Sequence, residues 1–333
     1  MRDRLAGHAL PALSCSIVLG LLFAGLVWSL SIGQGAVPVS SVVSALLDRD
    51  LLEADHVIVW SIRMPRTVLA VVVGVALAVA GGLVQVLTRN PLAEPGVLGV
   101  TFGASFAIVV ATWAGLAGGQ VRQMVIGTIG AALATAVVYG VGQVDPLRLV
   151  LAGMALSVLL AGLSLGIRLV DEDAFDQHRF WSVGSLAGRD QQPLLVPIMV
   201  IAVAAVVALL LARPLGAIEL GDDVASGLGV PIGATRSMVL LVATVLAGVA
   251  TAIAGPIAFA GLIVPHLARR FANGSVGWLL VLCALLGPAL LVTADTLGRV
   301  LLPTGDVPVA IVTAFIGGPV LIWVVRRHAG AMT

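Results

Sequence analysis

The chain is a succession of long apolar runs separated by short stretches of arginine, proline and glycine, and the run from Thr67 to Thr88 carries no charge at all. About twenty apolar residues in a helix, each rising 1.5 Å, cross roughly 30 Å of hydrocarbon. The two flanks of such a run face opposite aqueous phases. Here they are S-I-R-M-P-R, Ser61 to Arg66, and R-N-P-L-A-E-P-G-V-L-G, Arg89 to Gly99. A helix serving only as an anchor needs no such arrangement of arginine and proline at both ends, so the flanks are predicted to receive partners.

Similar runs fall near 10–32, 96–118, 123–143, 149–167, 193–212, 237–258, 275–294 and 307–325, with a shorter stretch at 256–267. Hydrophobic residues make up 59% of the 333 and charged residues 11%, against about a quarter charged in soluble domains. The fold class predicted is an all-α polytopic membrane protein in a lipid bilayer, with about ten transmembrane helices if the short stretch crosses and nine if it does not. The first run, Leu10 to Ile32, is longer than a signal-peptide core and reads as a retained helix. Cys15 and Cys283 read as packing residues.

All eighteen basic residues are arginine. Without lysine there is no G-x-x-x-x-G-K-[ST] loop to cradle ATP phosphates, so the chain is read as a non-catalytic subunit that binds no cofactor, any ATP and Mg sitting on a partner ATPase. A net charge of +1 gives no basic surface for nucleic acid. Ten crossings starting from the cytoplasm place ten arginines inside and eight outside, a weak positive-inside bias with both termini cytoplasmic. Acidic clusters, Asp48, Asp50, Glu53 and Asp55, then Asp171, Glu172, Asp173 and Asp176, fall outside.

The whole of 1–333 reads as one permease domain. A faint repeat appears when Pro91 is set on Pro265: at that offset of 174, Gly74, Ala76, Ala78, Ala80 and Gly81 meet Gly248, Ala250, Ala252, Ala254 and Gly255. Halves of roughly 61–190 and 236–326 would suit a duplicated transporter, although small residues also serve close helix packing in lipid. Between them lies the one soluble-looking island on the inner side, Arg213 to Arg236. Asp222 or Asp223 is expected to cap a short helix there and Gly229 to end it, leaving Ala225, Leu228 and Val230 as an apolar face for a partner.

Two other classes compete. A proton-coupled carrier needs an ionisable group within the membrane, and the centres of the long runs hold none. Gly162 to Gly166 spells G-x-S-x-G, but inside a predicted helix, where it cannot form the strand-turn-helix elbow of a hydrolase.

On these residues the chain resembles the FecCD family, permeases of type II ABC importers for ferric siderophores, haem or vitamin B12. The matching segments are Arg63 to Arg66, Asn90 to Gly99, Leu149 to Ser157, Trp181 to Ser185, Glu219 to Val230, Gly255 to Arg269, Asp295 to Arg299, and Pro308 with Gly318 to Trp323. Asp306 stands where the family often has glutamate. The resemblance implies ten helices, a second permease subunit, identical or a sister chain, two ABC ATPases, an extracytoplasmic substrate-binding protein and an iron-chelate cargo at the bacterial cytoplasmic membrane. It implies that Arg63, Arg66 and Arg299 receive acidic residues of the binding protein; the alternative is local pairing with Asp55 or Asp295. It also implies that Glu219, Leu220, Gly221, Asp222, Asp223, Ala225, Leu228 and Gly229, within a coupling segment at 214–235, seat on the ATPase. Asn90, Pro91 and Glu94, with Pro265, His266 and Arg269, are read as structural corners on the cytoplasmic face. No metal is expected there, nor at the lone His56 and His178.

Overall fold

The computed structural model describes residues 2–33, 35–50, 52–116, 118–142, 146–188, 193–302 and 305–329. Arg189, counted above on the outer side, lies outside them. The described residues form helices and a single isolated bridge, Leu302 to Gly305, with no sheet. In chain order the helices are α1 (Arg2–Ser31), α2 (Val39–Leu47), α3 (Ala54–Ile58), α4 (Met64–Leu87), α5 (Val100–Trp113), α6 (Gln120–Gly142), α7 (Pro146–Val170), α8 (Glu172–Trp181) and α9 (Leu195–Leu210). They continue with α10 (Ala212–Glu219), α11 (Asp222–Gly227), α12 (Ile232–Ala254), α13 (Ala260–Arg269), α14 (Val276–Val300) and α15 (Val309–Ala329). A π-helical turn, Val59–Arg63, leads into α4, and a 3-10 turn, Pro95–Leu98, into α5.

Among the described residues, α1, α4, α6, α7, α12 and α14 each hold a stretch long and apolar enough to cross a membrane. The pair α9 and α10, bent by 50°, supplies a seventh, and α5 and α15 are shorter apolar helices. The remaining pass follows from where the helix ends meet. Arg66 at the start of α4 and Arg299 at the end of α14 share Asp295, so those ends lie together. Arg89 just past α4 and Arg236 at the start of α12 share Asp222, and Arg269 at the end of α13 meets Glu219 at the end of α10. With α12 rising from this second end and α14 finishing at the first, the ten residues of α13 must bring the chain back. Ten passes result, with α2, α3, α8 and α11 outside the count.

The helices α4 and α12 are buried along most of their apolar length, whereas α7 leaves most of its surface open. Close backbone approach replaces hydrophobic drive in lipid. One such case is Gly81 of α4 against Gly261 of α13, where an added Cβ would sit 1.9 Å from the Gly261 carbonyl oxygen.

The repeat register of 174 does not carry over to the elements. Pro91 lies in the turn beyond α4, but Pro265 lies inside α13. In a chain with 39 glycines, small residues coincide at many offsets.

Candidate functional site: two polar clusters at the ends of one helix

At the first end the chain gathers three arginines around two aspartates. Arg66 Nε lies 3.0 Å from both carboxylate oxygens of Asp295 and its Nη2 donates to Oδ1 at 2.9 Å. Its Nη1 donates to Asp306. Arg299, one turn beyond Asp295 on α14, donates from Nε at 3.0 Å and from Nη2 to the same carboxylate, and from Nη1 to the Ser29 carbonyl of α1 at 2.9 Å. Arg63 points Nη1 at the Leu30 carbonyl, 2.6 Å away, and Nη2 at that of Gly35. All three arginines are buried, and Asp295 is 1% exposed.

The guanidiniums are thus turned inward, and Arg66 and Arg299 pair with Asp295, the local partner named above beside the docking role. Charges taken out of water must be paired and hydrogen-bonded, and these donors are. Arg63 differs: its hydrogen bonds go to the Leu30 and Gly35 carbonyls, and the carboxylate that acts on it is Asp55. Three guanidiniums thus face two hydrogen-bonded carboxylates, with the Asp55 carboxylate near enough to act on Arg63 as a third. The first acidic loop beside it is ordered by the buried His56, which meets Ser44 Oγ at 3.0 Å and Glu53 at 3.0 Å and accepts the Asp50 N–H at 3.2 Å.

About 36 Å away along α4 is the second cluster. The helix closes on Arg89 in the left-handed region, φ 51°, a conformation few non-glycine residues adopt. That turn sends its guanidinium to the Ile218 carbonyl and to Asp222 Oδ1 at 2.8 Å. Arg236 bonds the same carboxylate at 2.9 Å, and Arg269 meets Glu219 at 3.2 Å. Burial opposes it, but the Arg89 hydrogen bond and the Arg236 charge hold the Asp222 carboxyl below its ordinary value.

The island is two short helices, α10 and α11, separated by Leu220 and Gly221. Neither Asp222 nor Asp223 caps α11 through its side chain; Asp222 is spent on the two arginines, and Asp223 is exposed. Gly229 does end the helix, with φ 75° and its N–H on the Ser226 carbonyl, the left-handed residue such an ending takes. Ala225 is fully buried, contrary to its assignment to the outward face. That face is Leu220, Val224 and Leu228, at four-residue spacing and 72%, 46% and 67% exposed, so Val224 was missed.

The sequence-predicted corners separate. Asn90 Oδ1 accepts the Leu92 N–H at 2.9 Å across Pro91, a local turn at the end of α4. Pro265, His266 and Arg269 sit on α13. Glu94 goes elsewhere: its Oε1 accepts the N–H of Phe259, 3.3 Å away, in the break between α12 and α13. His178 on α8 joins Ser105 of α5 at 2.9 Å and Arg168 of α7 at 3.1 Å, while Trp181 Nε1 donates to the Ala252 carbonyl at 3.1 Å. Ser164 of the G-x-S-x-G stretch is inside α7, as expected, and buried.

A sequence model described as the FecCD transport family matches residues 21–327. The chain is 46% identical over 313 residues, 92% of its own length and 93% of the other's, to the ferric enterobactin transport system permease protein FepD of Escherichia coli. It is 38% identical to the hemin transport system permease protein HmuU of Yersinia pestis, covering 81% of this chain and 84% of that one. The fold superposes with TM-score 0.82, at 27% identity and covering 94% of this chain and 98% of the other, on a metal-chelate type ABC transporter solved in an inward-facing conformation.

Proposed function

The chain belongs to the FecCD transport family, and on that premise we propose that it is the permease subunit of an ATP-driven importer carrying a ferric siderophore across the bacterial cytoplasmic membrane. It is paired with a second permease, two ATPases and an extracytoplasmic binding protein. The likeness to the ferric enterobactin permease supports the cargo class.

The observation that carries the mechanism is one buried helix, α4, with a charge network locked to each end. The Arg66 end faces outward, and Arg63, Arg66 and Arg299 draw acidic side chains of the binding protein. The Arg89 end faces the cytoplasm, where Leu220, Val224 and Leu228 form the apolar stripe that seats in a groove of the ATPase. Because Asp222 is bonded to both Arg89 and Arg236, a push on α11 moves α4 and α12 as rigid bodies rather than dissipating in a loop. Docking outside and ATP binding inside then bias the same pair of arrangements.

The test is reconstitution with the cognate ATPase and binding protein in liposomes. ATP-dependent accumulation of a labelled ferric siderophore, with no accumulation of haem or cobalamin, is the expected result; uptake of haem or cobalamin alone moves the cargo within the family.

A further inference from the structure

Helix α5 has only fourteen residues, and where it meets α6 and α7 it leaves a groove. Gly103 of α5 and Gly130 of α6 let the two backbones touch at its floor: a Cβ on Gly103 would fall 2.5 Å from the Gly130 carbonyl oxygen. Larger side chains stand up around that floor as walls, among them Val110 of α5, Leu133 of α6, and Leu156 and Leu160 of α7. The groove holds about 420 Å³, the room one long acyl chain takes, and every side chain lining it is apolar.

The groove occupies one half of the membrane. Its α6 wall runs from Ile126 to Val137, about 16 Å at the helical rise, which is half of the roughly 30 Å hydrocarbon core. That half is the outer leaflet, because the chain leaves the cytoplasmic end of α4, crosses outward through α5 and turns into α6 there. Leu116 lines the outer end of the groove, and beside it stands Arg122, the third residue of α6 and one turn above Ile126. Arg122 is exposed and its Nη1 reaches the Leu116 carbonyl at 3.5 Å; among the described residues no carboxylate bonds it. Trp113, which ends α5 and is 59% exposed, marks the same level as the boundary between lipid and water, where such rings collect.

We propose that this is a binding site for one anionic phospholipid of the outer leaflet, its phosphate on Arg122 and one acyl chain in the groove. An arginine without a carboxylate, set at the mouth of an apolar channel, suits a molecule that carries both an anion and a hydrocarbon tail. The spacing agrees, since the channel begins one turn below the guanidinium and runs the depth of a leaflet. The segment from Trp113 to Gln123 contains no acid, so nothing in it receives the ammonium of a zwitterionic headgroup, and a net negative headgroup is preferred. A chain lying on the Gly103 and Gly130 floor supplies contacts that no side chain makes there and braces the short α5 against α6 and α7. The site is independent of which cargo the importer carries.

Native mass spectrometry of the whole transporter in detergent, offered phosphatidylglycerol and phosphatidylethanolamine with identical chains, tests the site. The wild type should retain phosphatidylglycerol about fivefold better, the preference one arginine near an anionic surface confers. Arg122→Gln should abolish that preference, whereas Arg49→Gln, at another exposed arginine of the outer side, should leave it intact. Val110→Trp fills the groove and should lose the retained lipid whatever its headgroup, which keeps the test decisive if the Arg122 variant fails to fold. Excess inorganic phosphate should not displace the lipid; displacement would mean an anion site without a chain and overturn the proposal. Equal retention of the two lipids by the wild type, an undiminished preference in Arg122→Gln, or the same loss in Arg49→Gln would overturn it too. So would separation of the two permeases in Val110→Trp, which would give the groove to the second subunit.

Discussion

Asp295 sits between Arg66 and Arg299 and bonds both. Removing it leaves Arg299 without its carboxylate and Arg66 with Asp306 alone, and breaking a buried pair costs about 3–5 kcal/mol. Asp295→Ala should therefore lower the unfolding midpoint of the purified permease in detergent well below that of Asp306→Ala, whose carboxylate is partly exposed; equal midpoints would contradict the network. His178 accepts from Arg168 at Nδ1, so its proton is on Nε2, facing Ser105. Burial and then the Arg168 charge lower it to about 4, from an ordinary value near 6.5. A folded value below the unfolded one means the stabilisation is complete above pH 6.5 and is lost as pH falls towards 4. Thermal unfolding followed from pH 7.5 to pH 4 should show that slope in the wild type and a shallower one in His178→Gln. These pairings were only half legible. The arginines stood out as a pattern, but Arg66 and Asp295 are 229 residues apart, and nothing local says which acid an arginine will find.

At the scale of elements, hydropathy gave the helices and their order, because twenty uncharged residues have few other ways to satisfy their backbone in lipid. It did not give depth. Glu94 reads as a corner after α4, yet α5 has fourteen residues and α13 ten, too short to span alone; that shortness is the signal that both breaks climb into the membrane. The small residues likewise mark close packing without naming the partner. Gly81→Ala puts a methyl against the Gly261 backbone and should destabilise by about 3 kcal/mol. Gly20→Ala on α1, where nothing lies within 4 Å, should be neutral or slightly favourable. Unfolding midpoints of the two variants side by side give the answer; an undisturbed Gly81 variant would mean the α4–α13 contact is looser than described.

For the whole molecule, the alternation of ten passes puts the two charge networks on opposite faces, and the long central helix joins them. The composition excluded catalysis by a lysine-bearing ATP loop, and the island between α9 and α12 stood out because it carries exposed leucines. What the sequence missed there was Val224 and the role of Asp222, both consequences of how α11 is rotated by its ties to Arg89 and Arg236. The central claim is that docking at the Arg66 end is conveyed through the Arg89 end to ATP hydrolysis. ATPase activity of the reconstituted transporter, with and without loaded binding protein, tests it in Leu228→Glu, which charges the exposed stripe without touching the core. The account predicts that this variant still binds the loaded binding protein with wild-type affinity but loses the stimulation of ATP hydrolysis; stimulation equal to wild type would contradict it.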